Sequence, residues 1–145
     1  MFPTDIDIVN IQQNTAPATD TTNEAVIGRS LKFDYKTNEF VVVSGKIIEP
    51  TKVEAIKQWV ELYIRTEVKK YVIYTDEFGV NLNGLVGYRL PRGLQVAEIM
   101  RRINSGILNK CPNVVKVSEW NFDKGHFTFT VTTNTGEEVV INEKY

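Results

Sequence analysis

The last third of the chain carries the cleanest alternation of apolar and polar positions. Phe127, Phe129 and Val131 interleave with Thr128, Thr130 and Thr132, a period of two that makes one face of a strand apolar and the other polar. Asn134-Thr135-Gly136 supplies turn chemistry, and Val139 and Ile141 then resume the alternation. The spacing therefore predicts an antiparallel sheet with strands over Phe127–Thr133 and Glu138–Asn142. Just upstream, Val114–Val117 is β-rich, and Pro112 stops any helix from running into it.

Two other stretches have helical period. Val53, Ile56, Val60 and Tyr63 fall on one face, Trp59 and Ile64 widen that stripe to about Arg65, and Thr51 with Glu54 has the spacing of a capping box at its start. After Pro91, the residues Val96, Ile99, Met100, Ile103 and Ile107 share a side opposite Glu98, Arg101 and Arg102, predicting an amphipathic helix over roughly Leu94–Asn109. Between the helices, Tyr71–Tyr74 reads as a strand, and the segments Thr75–Gly79 and Asn81–Gly87 read as a structured loop.

Ahead of the first helix, Leu31, Phe33 and Tyr35 alternate with polar residues, and Phe40–Val43 and Lys46–Ile48 are short β-prone runs. With turns at Thr37-Asn38 and Ser44-Gly45, these predict a three-stranded meander in which Gly45 takes positive φ. Residues Gln12–Glu24 lack periodicity and large apolar side chains, so burial there cannot offset the entropy of ordering. Residues 1–25 thus read as a flexible or partner-ordered tail, with Ile6, Ile8, Val9 and Ile11 either a short docking strand or part of a disordered terminus. Residues 26–145 read as one α+β domain: an N-terminal meander, two amphipathic helices and a C-terminal antiparallel sheet.

Composition narrows the function classes. At 145 residues and 42% hydrophobic, the chain has the size and apolar content of one folded domain. Seventeen basic against 18 acidic residues leave a formal charge of −1, which provides no general field for nucleic acid. The start of the chain lacks signal-peptide character and no apolar run is long enough to span a bilayer, so no membrane partner and synthesis in a reducing cytoplasm are expected. Cys111 is the single cysteine and His126 the single histidine, so neither an intramolecular disulfide nor a cysteine or histidine metal cage can form; no metal and no cofactor are expected.

Chemistry is sparse. Cys111 would need a positioned base to act as a nucleophile, and packing is the favoured reading. Glu67, Asp76 and Glu77 are the carboxylates that a glycosidase pair would draw on, although linear spacing cannot set two of them across a sugar. The glycines at Gly79 and Gly84–Gly87 lack the Lys-Ser/Thr of a phosphate loop, and Lys69-Lys70 and Arg101-Arg102 are isolated basic pairs suited to protein contacts.

The order of features is more telling. Ile56-Lys57-Gln58-Trp59-Val60, then Arg65-Thr66-Glu67, Tyr71-Val72-Ile73-Tyr74 and Glu77-Phe78-Gly79, resembles XkdS-like proteins of contractile tails, relatives of the baseplate wedge proteins also called sheath initiators. The resemblance extends from about Gly28 through the second helix and the final sheet, and the wider group carries a historical lysozyme-like label. It implies a structural, non-enzymatic baseplate component of a phage tail, tail-like bacteriocin or other contractile injection system. Its partners would be sheath protein and baseplate wedge proteins, with tail tube or hub proteins as further candidates.

In this reading the C-terminal strands nucleate sheath assembly by β-strand augmentation, and Phe127, Phe129, Val131, Val139 and Ile141 mark the pairing strands. The wider family has a Glu-Pro-Arg motif, associated with baseplate attachment, where this chain has Cys111-Pro112-Asn113; only the proline agrees. Two rivals remain at this stage: a peptidoglycan hydrolase built on Glu67, Asp76 and Glu77, and an unrelated protein-binding module.

Overall fold

A computed structural model describes residues 28–86 and 89–145; the tail before Val26 and its Ile6–Ile11 segment lie outside them. The core is a three-stranded antiparallel sheet, ordered β5-β6-β7, with one face covered by two helices. Strand β5 is Val114–Asp123, β6 is His126–Thr133 and β7 is Glu138–Lys144. The longer helices are α1, Lys52–Arg65, which packs along β7, and α3, Arg92–Lys110, which packs along β5. A single turn, α2 over Asn83–Val86, lies in the stretch expected to be a structured loop.

Alternation in β6 does what its sequence demands. Phe127, Phe129 and Val131 point into the core with Val139 and Ile141 of β7, and meet Ile56, Val60 and Ile64 of α1 and Ile99, Ile103 and Ile107 of α3. The intervening threonines lie on the other face, where Thr130 donates to the Glu119 carboxylate at 2.7 Å. Both predicted hairpin strands are present, with β6 beginning at His126 rather than Phe127 and β7 ending at Lys144 rather than Asn142.

Strand β5 is far longer than the expected Val114–Val117. Two register shifts against β6, between Val114 and Lys116 and between Ser118 and Asn121, break its alternation, and Glu119 within the second has φ +56°. Each extra residue reverses which face the following side chains meet. Trp120 and Phe122 thereby come to the aromatic side, with Trp120 stacked on Phe129 at 4.5 Å between centroids.

Helix α1 begins with the expected capping box: Glu54 N–H donates to Thr51 Oγ1 at 3.3 Å, and Thr51 N–H to Glu54 Oε2 at 3.0 Å. Helix α3 starts two residues before the expected Leu94 and ends at Lys110, capped by Cys111, whose N–H donates to the Ile107 carbonyl at 2.8 Å. The meander is replaced by two short ladders, β1 (Phe33–Asp34) with β2 (Glu39–Phe40) and β3 (Val42–Val43) with β4 (Lys46–Ile47). Backbone bonds among Lys32, Val41 and Ile48 join the two hairpins where the central strand was expected to continue. Gly45 does take positive φ, as does Ser44 before it.

The expected strand Tyr71–Tyr74 is instead a run of turns. Tyr74 N–H donates to the Tyr71 carbonyl at 3.2 Å and Phe78 N–H to that of Thr75 at 3.0 Å. A β-prone run needs a neighbouring strand to take up its backbone groups, and here local turns take them instead. Val72 and Ile73 are left 103% and 85% exposed.

Helices α1 and α3 approach closely at Gly106. A methyl group there would stand 2.7 Å from Tyr63 Cζ and 2.9 Å from Cε1, and that ring is held by Trp59 stacked at 5.3 Å and Phe78 edge-on at 5.4 Å. Gly106→Ala is therefore expected to destabilise the fold by about 1–3 kcal/mol through overpacking, although alanine is the better helix former by about 1 kcal/mol. Chemical denaturation checks this, and a rise in midpoint would refute the tight contact.

Candidate functional site

The residues singled out from the sequence fall into two groups. Phe127, Phe129, Val131, Val139 and Ile141 are buried under the helices, so their side chains fix the hairpin's register from within and do not reach the surface. At the Cys111-Pro112-Asn113 turn, Cys111 and Asn113 are also buried and only Pro112 is exposed. Burial raises the Cys111 thiol pKa, which suits a packed group. The Asn113 carbonyl accepts from Asn134 N–H at 2.9 Å, tying this turn to the β6–β7 turn.

The geometry of β7 offers backbone rather than buried side chains. Thr133 N–H donates to the Glu137 carbonyl at 2.9 Å and Tyr145 N–H to that of Gly125 at 2.9 Å, one pair beyond each end of the β6–β7 ladder. Those pairs set the phase: odd-numbered residues of β7 bond to β6, and the backbone groups of Glu138, Val140, Asn142 and Lys144 point away from it. All seven residues of β7 pair without a register shift. It forms one edge of the sheet, while the opposite edge, β5, is interrupted by two shifts.

Two cavities adjoin this edge. One of about 370 Å³ is bounded by Asn142 of β7, by Glu61 and Arg65 of α1 and by Tyr35; another of about 230 Å³ is bounded by Lys144, Tyr145, Tyr71 and, again, Arg65. Arg65 Nε donates to Glu143 Oε1 at 3.1 Å, and its guanidinium lies 4.7 Å from the centroid of the Tyr35 ring. Glu143 is only 7% exposed, so the pair neutralises a carboxylate on the core side of the edge strand.

Glu61, one turn before Arg65, has no hydrogen bond or ion pair among the described residues. Burial raises its pKa, and the charges of Glu143 and Asp34 add to the effect while Lys57 and Arg65 oppose it. Tyr35 is pushed up to about 12, mainly by burial and then by Glu61. Sequence reading passed over Glu61 and Glu143 and met Arg65 only as a helix end and in the Arg65-Thr66-Glu67 motif: Glu61 and Arg65 have ordinary opposite-charge i,i+4 spacing on a helix, and only folding brings Glu143 to them.

The three hydrolase candidates do not line a common cavity among those described, and two of them are held in ion pairs. Glu67 pairs with Lys70 at 2.8 Å and accepts from Asn83 at 3.0 Å, while Glu77 pairs with Lys110. Those partners lower both glutamate pKa values, the opposite of what a general acid requires. Glu67 lines the 230 Å³ cavity, and neither Asp76 nor Glu77 is among its lining residues. Among the described residues, no group of three or more His, Cys, Asp or Glu could hold a metal, and no helix is long and apolar enough to cross a membrane.

Among the described residues, the helix-backed sheet thus has one edge strand, β7, that pairs without a register shift. The family model for contractile injection system sheath initiators matches residues 29–136, and the chain belongs to that family. Its role is thus a structural one in a contractile injection system, as the ordered motifs implied. The match ends in the turn before β7. No curated protein matches the chain.

Glu61 also makes a prediction about stability. Its folded pKa exceeds its unfolded one, so between the two values the folded state holds more protons and stability falls as pH rises. Glu61→Gln removes that penalty: its Tm at pH 7 is expected to equal or exceed the parent's, the difference shrinking as pH drops through the acidic range. Thermal unfolding across pH 4–7 tests this, a lower Tm for the variant at pH 7 being the contrary result.

Proposed function

We propose that this chain is a baseplate component that attaches to the wedge and nucleates the contractile sheath by accepting a sheath strand along β7. The observation that carries this reading is the phase of the β6–β7 ladder, which points the backbone groups of Glu138, Val140, Asn142 and Lys144 outward, without a strand partner among the described residues. Strand β5 is the poorer acceptor, since a bulged edge twists away and spoils regular pairing. The buried apolar residues of β6 and β7 hold the accepting edge rigid and in register.

Attachment to the wedge through the Cys111–Asn113 turn would use Pro112 and local backbone, with buried Cys111 and Asn113 shaping the turn. The particle could be a phage tail, a tail-like bacteriocin or another injection system, which face the same problem of starting a sheath at the baseplate.

The edge can be tested without harming the core. A proline at 131 would remove a buried bond in the central strand and so confound folding with docking. Proline at 140 removes only an outward N–H, a position where edge strands tolerate it. Electron microscopy of particles from the native tail operon should show baseplates or tubes without extended sheath when the chain is absent, and likewise with folded Val140→Pro. Normal sheaths in the absence of the chain would remove the reading, and normal sheaths with folded Val140→Pro would remove β7 as the acceptor.

A further inference from the structure

The cavity between α1 and the edge of β7 bears on which strand can dock there. A strand added to β7 would lie about 4.8 Å from it and place alternate side chains on the core side, level with Val139, Ile141 and Glu143. Beside those positions stands the last part of α1, where Glu61 and Arg65 are one turn apart and line the same cavity as Asn142. A side chain on the core side of the incoming strand is thus directed toward this cavity.

Of the seven charged residues lining the cavity, three are in ion pairs, and Asp34, Lys36, Lys57 and Glu61 are in none among the described residues. Lys32 is held by Glu54 at 2.6 Å, and Arg65 is shared between Glu143 and the Tyr35 ring. Lys57, one turn before Glu61, is exposed, and no ion pair joins the two among the described residues. Glu61 remains half-buried, with Lys57 and Arg65 close enough to offset part of what its burial and the negative charges of Glu143 and Asp34 do to it. An apolar side chain entering here would complete the desolvation of an unpaired carboxylate, whereas a cation would compensate it.

We propose that the sheath segment pairing with β7 carries a lysine or arginine whose stem runs past Tyr35 and whose charged head pairs with Glu61. This rests on the strand-docking reading above and adds a recognition element to it: backbone pairing supplies the register-independent attraction, and the Glu61 contact fixes which residue of the incoming strand lies beside Ile141 and Glu143. The long stem of either side chain suits a cavity with a polar end and an aromatic wall.

The test uses the purified full-length chain and the purified sheath protein of the same tail operon. Binding is measured at low and high salt for the parent, Glu61→Gln, Glu61→Lys and Val140→Pro, with thermal unfolding as the control for folding. At low salt, Glu61→Gln is expected to weaken binding about tenfold or more, and Glu61→Lys more strongly, with both gaps narrowing at high salt. Replacing sheath lysines and arginines one at a time by glutamate should reveal one substitution that restores binding to Glu61→Lys.

Parent-like binding by both Glu61 variants, together with loss in Val140→Pro, would overturn the ion pair and leave strand docking standing. Parent-like binding by all three folded variants would sink strand docking on β7 and the ion pair with it. Loss in Glu61→Lys alone, with no restoring sheath substitution, also counts against the inference, because simple repulsion would then account for it.

Discussion

Burial of the odd-numbered face of β6 is the constraint on which the other parts depend. Phe127, Phe129 and Val131 are fully buried in the middle strand, bonded to β5 on one side and β7 on the other, with α1 and α3 covering them. A one-residue slip would drive threonines into the core and phenylalanines into water, a loss of about 1.5–3 kcal/mol for each large side chain exposed. Register is therefore fixed throughout the hairpin, and with it the direction in which each backbone group of β7 points.

The two edges of this sheet differ for physical reasons. Strand β5 accommodates two register shifts, gaining the stacking of Trp120 and Phe122 on the aromatic cluster at the expense of a regular ladder. Strand β7 has no shift and keeps strict alternation, with Val139, Ile141 and Glu143 inward and Glu138, Val140, Asn142 and Lys144 outward. Exposed regular edges are usually blunted because they invite pairing. Among the described residues, β7 keeps such a regular edge in a chain of the sheath-initiator family.

Electrostatics near that edge is organised by α1. Arg65 neutralises the buried Glu143, while Glu61, four residues earlier, stays half-buried without a partner among the described residues. The arrangement costs the isolated fold some stability at neutral pH. Half-paired charges of this kind favour a complementary partner and penalise others, which makes them better suited to selecting an interaction than to holding a fold together.

The elements that could be read from the chain were those whose information is local. The capping box at Thr51 and Glu54, the helical stripes, and the alternation from Phe127 to Ile141 each follow from spacing alone, and each appears where expected. Tyr71–Tyr74 misled because β propensity says nothing of whether a neighbouring strand exists, and β5 was cut short because a bulge breaks the alternation used to recognise it. The sequence by itself determined the α+β class, the core and the order of motifs that marks the family. Which backbone groups face outward, and that Glu143 meets Arg65 across 78 positions, were decided only by tertiary structure, because both depend on how distant segments align.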